Sequence, residues 1–170
     1  MNENHFWKIV DATLPAAGDR ERQEDLLWQQ LIVLPPKDVA AFASWFDRQI
    51  DRSDCDNVEV AFALISGVGA DDGYHDFRCW LVSRGRVAYM AALNDPDSLS
   101  TVVTPEEDTH FADFSYVALG VYEHLTGEDC PHDQRPKLSY PPPEKWDTRD
   151  IAEVRRRMPR LRLLFGVDTD

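Results

Sequence analysis

Apolar residues recur at helical spacing along most of the chain. The clearest stripe follows Pro36 and occupies positions i, i+3, i+4, i+7 and i+11: Val39, Phe42, Ala43, Phe46 and Ile50. Such spacing places the side chains on one face of an amphipathic helix. Similar stripes occur in residues 5–14, 26–34 and 111–125, and no segment shows strong strand alternation. We therefore predict an all-α fold, a bundle of six or seven helices in a single domain over residues 1–170.

Polar residues and prolines mark the beginnings of several predicted helices. Asn4 and Asp19 are the predicted N-caps of the first two helices, and Pro36 suits the first turn of the third. Near the C-terminus, Asp147 or Thr148 is expected to cap a last helix from Arg149 to about Met158.

A capping-box arrangement occurs in the sequence Thr104-Pro-Glu-Glu107, where the Glu107 side chain would reach back to the backbone of Thr104. It predicts a helix that runs from Pro105 to Leu125 and ends at Thr126-Gly127.

Two segments lack clear amphipathic periodicity. Residues 58–65 are apolar almost throughout, and periodicity alone does not separate a buried strand from a buried helix. We favour a helix there because the neighbouring segments are helical. Residues 127–147 contain five prolines and predict an extended, Pro-rich surface connection, in part polyproline II.

Residues 67–86 form the most unusual segment, because glycines and two adjacent carboxylates precede a short predicted helix that carries two arginines. At about 100° per residue, Arg78 falls beside Tyr74 and Arg84 falls beside Trp80. Both arginines therefore lie within the apolar arc of the helix, where an unpaired charge is strongly unfavourable. Each must pair with a carboxylate of this protein or with an anionic ligand.

This segment defines a candidate ligand site with the residues Asp71, Asp72, His75, Arg78, Trp80 and Arg84. A histidine beside carboxylates can support acid–base chemistry or cation binding. The plainer interpretation is a helix capped by Asp71 or Asp72, with solvated polar residues and an internally paired Arg78. We favour the plainer interpretation because the spacing matches no known metal loop. Cys79 is interpreted as an ordinary helix residue.

The pattern from Gly67 to Gly85 reads Gly-x-x-x-Asp-Asp-Gly-[aromatic]-x-x-Phe-Arg-x-Trp-Leu-[apolar]-Ser-Arg-Gly. It resembles a functionally uncharacterised bacterial family of small helical proteins, described as a domain of unknown function. Shorter matching segments are Phe6-Trp7, residues 94–99, residues 121–127 and Trp146-Asp147. The resemblance implies a mostly helical domain and assigns no activity or ligand residues. His75 and Cys79 stand at positions that the motif leaves free.

The sequence offers no complete metal site. Glu107-x-x-His110 has the i, i+3 spacing of helical carboxylate–histidine sites, but the second pair that such sites need is missing. Cys130 and His132 lie close together, yet zinc requires four ligands. We therefore predict no metal and no cofactor.

Charge and cysteine content restrict the classes of partner. The net charge of −13 argues against nucleic acid and against an anionic membrane surface. Three cysteines without close spacing predict free thiols, and the N-terminus lacks the pattern of a signal peptide, so we expect a cytoplasmic protein. The basic run from Arg155 to Arg157 is interpreted as a solvated helix face that pairs with acidic groups of the same chain.

These observations favour a non-catalytic interaction or regulatory domain with a possible protein partner. The alternative is a small hydrolase or an anionic-ligand-binding protein with its site at Asp71–Arg84. The two differ in one geometric respect. Internal pairing of Arg78 and Arg84 favours the interaction domain, whereas convergence of both arginines on an open cleft favours the ligand site.

Overall fold

The computed structural model describes residues 1–67, 73–131, 136 and 143–166. Within these residues the chain forms nine α-helices, two 3₁₀ helices and no strand, so the predicted all-α fold is confirmed. The α-helices are α1 (Glu3–Asp11), α2 (Arg20–Leu31), α3 (Pro36–Ser53), α4 (Asp56–Ser66), α5 (Gly73–Ser83), α6 (Gly85–Asn94), α7 (Asp113–Thr126), α8 (Ile151–Arg157) and α9 (Pro159–Leu164). The 3₁₀ helices are Leu14–Ala16 and Pro96–Thr101.

Helix α3 lies at the centre of the bundle and packs against α1, α5 and α7. The apolar stripe predicted after Pro36 is buried along its whole length. The described helices share one hydrophobic core. Its fully buried aromatic residues are Phe6, Trp7, Phe42, Phe62, Phe77, Trp80, Tyr89, Phe111 and Phe114.

Several helix boundaries lie where local signals predicted them. The Asp19 side chain accepts a hydrogen bond from the Arg22 backbone N–H at 3.1 Å and caps α2. Pro36 is the first residue of α3, and the ambiguous apolar residues 58–65 lie inside α4. Gly127 ends α7 with φ of 73°, a left-handed conformation that favours glycine.

Gly85 is the first residue of α6, directly after the junction with α5 at Arg84, and a glycine is needed there for two reasons. Its φ is 82°, and a Cβ atom there would lie 2.6 Å from the Asp11 carboxylate. That carboxylate accepts a hydrogen bond from the Arg86 backbone N–H at 2.9 Å, which ties the start of α6 to α1. Any side chain at position 85 would disrupt this junction.

The predicted helix from Pro105 is wrong in its first part, because α7 begins only at Asp113. Glu107 does not serve as a capping-box residue, since its side chain turns toward α5 and accepts a hydrogen bond from Trp80. The Phe111 backbone N–H donates to the Asp76 carbonyl at 3.3 Å, which attaches the segment to α5. Long-range pairing therefore outweighs the local capping signal.

Two other helix boundaries also differ from the prediction. Asn2, rather than Asn4, caps α1, and its side chain accepts from the His5 backbone N–H at 2.9 Å. Asp150 caps α8, which starts at Ile151 instead of Arg149. The helix ends before Met158 because Pro159 disfavours a helical conformation in the residue that precedes it.

Two of the shorter family-like segments attach the C-terminal part to the bundle. Asp97, which is buried, accepts hydrogen bonds from the backbone N–H groups of Arg160 and Leu161 at 2.9 and 2.8 Å. Trp146 donates its backbone N–H to Asp56 and its indole N–H to Asn57, both at 2.8 Å. Within the predicted Pro-rich connection, residues 132–135 and 137–142 lie outside the described residues.

The basic run in α8 pairs with acidic groups of the same chain. Arg156 and Arg157 both donate to Glu153, and Arg157 also approaches Glu144 at 3.4 Å. These hydrogen bonds lower the pKa of Glu153 to about 2. The Arg157 guanidinium also lies over the Trp146 ring, with 4.9 Å between the guanidinium carbon and the ring centroid.

Candidate functional site

Helix α5 carries the described part of the predicted ligand site. Asp71 and Asp72 lie outside the described residues, whereas His75, Arg78, Trp80 and Arg84 can be placed. The aromatic side chains of α5 form a continuous buried series, in which Phe77 stacks on Trp80 with ring centroids 5.2 Å apart. This series holds the helix against the core, so the directions of the two arginines are set by packing.

Arg84 is paired inside the protein with Glu107. The two side chains are only 11% and 18% exposed and make a direct charged hydrogen bond. The Trp80 indole N–H donates to the same carboxylate oxygen at 3.0 Å, and the Arg84 guanidinium lies 4.9 Å from the Trp80 ring centroid. We call these three residues the Arg84 brace.

Burial and the Glu107 carboxylate shift the pKa of Arg84 in opposite directions, and the net shift is downward. Burial lowers the pKa of Arg84, and the Glu107 carboxylate raises it. An arginine nevertheless stays charged at neutral pH, so the brace is a partly desolvated ion pair. Sequence reasoning correctly required a partner for Arg84 but assigned Glu107 to a local cap.

A second group of charged residues, which sequence reasoning did not bring together, lies beside the brace. Arg20 donates to the Asp108 carbonyl at 2.6 Å and pairs with its carboxylate at 2.9 Å. The other Asp108 oxygen accepts from the His110 backbone N–H at 2.9 Å and lies 3.1 Å from the ring Nδ1. Burial by itself would raise the pKa of Asp108, but the hydrogen bonds from His110 and Arg20 outweigh it and lower that pKa.

His110 also explains the glycine at the start of α5. A Cβ atom on Gly73 would lie 2.5 Å from His110 Nε2, so a larger residue would displace the imidazole ring. The close approach places His110 directly over the first turn of the motif helix. The spacing from Glu107 to His110 does not form a shared site, because Glu107 faces Arg84 while His110 contacts Asp108.

Arg78 occupies a different and more open environment. Its guanidinium donates to the Ile50 carbonyl at 3.2 Å, lies 3.8 Å from the Asp54 carboxylate, and stacks over the Tyr74 ring at 4.6 Å. The Arg78 side chain is 15% exposed, but Asp54 is 66% exposed. Water therefore reaches this ion pair from the Asp54 side.

His75 and Cys79 lie on a third side of α5. His75 borders a small groove of about 160 Å³ shared with α3 and α7, and its Nε2 is 3.5 Å from the Cys79 sulfur. Burial raises the pKa of the Cys79 thiol to about 12. A thiol that stays protonated at neutral pH is a poor nucleophile, so the pair lacks an activated sulfur.

The described part of the predicted site is thus divided among separate environments. Arg84 faces Glu107, Arg78 faces α3, and His75 borders the groove between α3 and α7. No group of three or more metal-ligating side chains occurs among residues 1–67, 73–131, 136 and 143–166. In those same ranges, no helix is both long and apolar enough to cross a membrane.

The fold defines an all-α domain in which the motif arginines serve as packing elements. The chain belongs to the family described as Protein of unknown function (DUF4240), whose model matches residues 1–124. The family resemblance drawn from the sequence is thereby confirmed. No curated protein and no solved structure matched the chain.

Proposed function

We propose that this protein is a cytoplasmic, non-catalytic interaction or regulatory domain that binds a basic protein partner. The observation that carries the proposal is the internal pairing of Arg84 with Glu107. A guanidinium held by a carboxylate and an indole ring is not free to bind an anionic ligand. This pairing supports a structural role for Arg84, and on this proposal the surface of the domain supplies the function.

Charge supports the choice of a basic partner. A net charge of −13 produces a field that attracts basic proteins and repels phosphate backbones and anionic lipids. None of Cys55, Cys79 and Cys130 forms a disulfide bond, which supports a reducing compartment. On this proposal neither nucleic acid nor a membrane surface is a partner.

The test is direct binding of defined peptides. Fluorescence anisotropy would compare fluorescein-labelled peptides of repeating Gly-Arg-Ser, Gly-Gln-Ser and Gly-Glu-Ser. We expect binding of the arginine peptide alone, weakened by added NaCl because screening removes the attraction. Absence of binding, or equal binding of all three peptides, would refute the proposal.

A second candidate is the small hydrolase or anionic-ligand-binding protein with its site at Asp71–Arg84. The observation that favours it is the Asp108–His110 pair, which lies over Gly73 at the start of α5. A carboxylate that orients a half-exposed imidazole is a recurrent general-base arrangement.

The hydrolase candidate predicts turnover of a p-nitrophenyl ester or phosphate that is lost in His110→Gln. His124→Gln serves as the control, because His124 is an exposed histidine of α7 whose ring contacts Trp28, whereas His110 contacts Asp108. Turnover that both variants share, or no turnover by the wild-type protein, would remove this candidate.

A further inference from the structure

An open groove with a volume of about 350 Å³ lies between α2 and α7. One wall is formed by α2 and the other by α7, two helices that pack directly against each other. Trp28 stands on the α2 wall and Tyr116 on the α7 wall, and the Tyr116 ring is 55% exposed. An exposed aromatic residue and a half-buried one therefore face the same groove.

The floor of the groove depends on Gly120. A Cβ atom there would lie 3.4 Å from the Trp28 ring, with no other atom within 4 Å. Because α7 carries glycine at this position, the face of the α2–α7 pair stays recessed between Trp28 and Tyr116. The aromatic residues therefore border a depression rather than a flat surface.

Three carboxylates line the same groove: Glu24, Asp25 and Asp113. In the described part of the chain, none of them forms an ion pair, and the nearby Arg20 is already engaged by Asp108. Burial raises the pKa of Glu24, and the negative charges of Asp113 and Glu21 raise it further. The charge of Arg20 offsets this negative charge only in part, since its effect on the pKa of Glu24 is smaller than those of burial, Asp113 and Glu21. The groove thus concentrates negative charge that no ion pair among the described residues neutralises.

We propose that the α2–α7 groove binds an arginine side chain of an extended, basic peptide segment from a partner protein. Trp28 and Tyr116 would contact the guanidinium faces, and Glu24 and Asp113 would accept its hydrogen bonds from the two walls. Arginine suits this lining because its planar guanidinium stacks on aromatic rings and hydrogen-bonds carboxylates through its edge. Charge complementarity with a chain of net charge −13 favours the same partner.

This inference rests on the proposed function, because both require a basic partner, but it also assigns the binding surface. The first experiment measures anisotropy of the labelled Gly-Arg-Ser peptide with wild-type protein and with the Glu24→Gln/Asp113→Asn variant. We expect the double variant to bind about tenfold more weakly, since it removes two charges without changing side-chain size.

The matched control is Glu59→Gln/Glu128→Gln, which removes two exposed carboxylates away from the groove. Both double variants carry the same net charge, so a general electrostatic effect weakens binding equally in the two. Equal weakening, or no weakening by Glu24→Gln/Asp113→Asn, would overturn the groove assignment and leave the proposed function standing. No binding by the wild-type protein would overturn the proposed function and the groove assignment together.

The aromatic contribution is tested by Tyr116→Ala and Tyr116→Phe. Tyr116 is exposed, so both variants should keep the thermal midpoint of the wild-type protein. We expect Tyr116→Ala to weaken arginine-peptide binding about threefold and Tyr116→Phe to retain it, because the ring alone supplies the stacking face. Unchanged binding by Tyr116→Ala, or equal binding of a Gly-Lys-Ser peptide by the wild type, would contradict arginine stacking.

Discussion

The Arg84 brace and the α2–α7 groove place aromatic rings beside charge in opposite ways. In the brace, Trp80 and Glu107 enclose an arginine of the same chain, and both charged side chains are largely buried. In the groove, Trp28 and Glu24 are only partly buried, and Glu24 forms no ion pair with a described residue. Similar side chains thus form an ion pair inside the fold in the brace, whereas in the groove they form the surface that we propose binds a partner.

The largest loss of stability is expected when the negative charge of Glu107 is removed from the Arg84 brace. We expect Glu107→Gln to lower the free energy of unfolding by about 3–5 kcal/mol, because Arg84 would remain buried without a counter-charge. Urea denaturation of the two proteins measures the difference.

The neighbouring Glu106 provides a matched control for this substitution, because it is exposed. Glu106→Gln should change the free energy of unfolding by at most about 0.5 kcal/mol. Equal effects of the two substitutions would mean that water screens the Arg84–Glu107 pair, and the contrast with the groove would disappear.

Substitution of Arg78 tests whether this second arginine stabilises the fold as strongly as the Arg84 brace does. Arg78→Ala should lower the free energy of unfolding by about 1–3 kcal/mol, through loss of the Ile50 hydrogen bond and the Tyr74 contact. The loss should be smaller than for Glu107→Gln because the Asp54 carboxylate left behind is 66% exposed. Denaturant titration showing a larger loss for Arg78→Ala would reverse this ranking.

Gly120→Ala tests whether the recess of the α2–α7 groove is needed for binding. Position 120 lies within α7, where alanine is favoured over glycine by about 0.5–1 kcal/mol, and its Cβ would meet only the Trp28 ring. We expect a slightly higher thermal midpoint together with weaker binding of the arginine peptide. A lower midpoint would show that Trp28 does not tolerate the added methyl group.

Substitution of Glu24 should change the stability of the protein least, and the change should depend on pH. Its pKa in the folded protein is raised above the ordinary value of 4.5, so the folded state retains this proton to higher pH than the unfolded chain. Stability therefore falls as pH rises through the window between 4.5 and the raised pKa.

At neutral pH, the Glu24→Gln variant should consequently have a higher thermal midpoint than the wild type. Well below pH 4.5 the two midpoints should be equal, because Glu24 is then protonated in the folded and the unfolded state. Midpoints of the variant and the wild type, measured from acidic to neutral pH, test this sign. A variant that is less stable than the wild type at neutral pH would mean that Glu24 has a stabilising partner.

Local sequence signals were sufficient for much of the helical architecture. The apolar stripe of α3, the Asp19 cap and the left-handed Gly127 each depend on residues within about three turns or fewer. The angular position of Arg84 beside Trp80 was equally predictable, because helical periodicity alone sets it.

The distant side chains that pair with residues of these helices were not predictable from local patterns. Glu107 lies 23 positions from Arg84, and a local capping pattern offered a competing explanation for it. The wrongly predicted helix from Pro105 has the same origin, since the ion pair and the Trp80 hydrogen bond together outweigh one turn of capped helix.

The α2–α7 groove depends on contacts between segments that are distant in the chain. Local patterns were enough to predict α2 and α7 as helices with both apolar and acidic positions, and to mark Gly120 as a position without a side chain. The sequence by itself did not determine that Trp28 and Tyr116 border one depression, because about half of the chain lies between their helices. Periodicity and capping act over a few residues, whereas the juxtaposition of charges depends on which helix faces pack together.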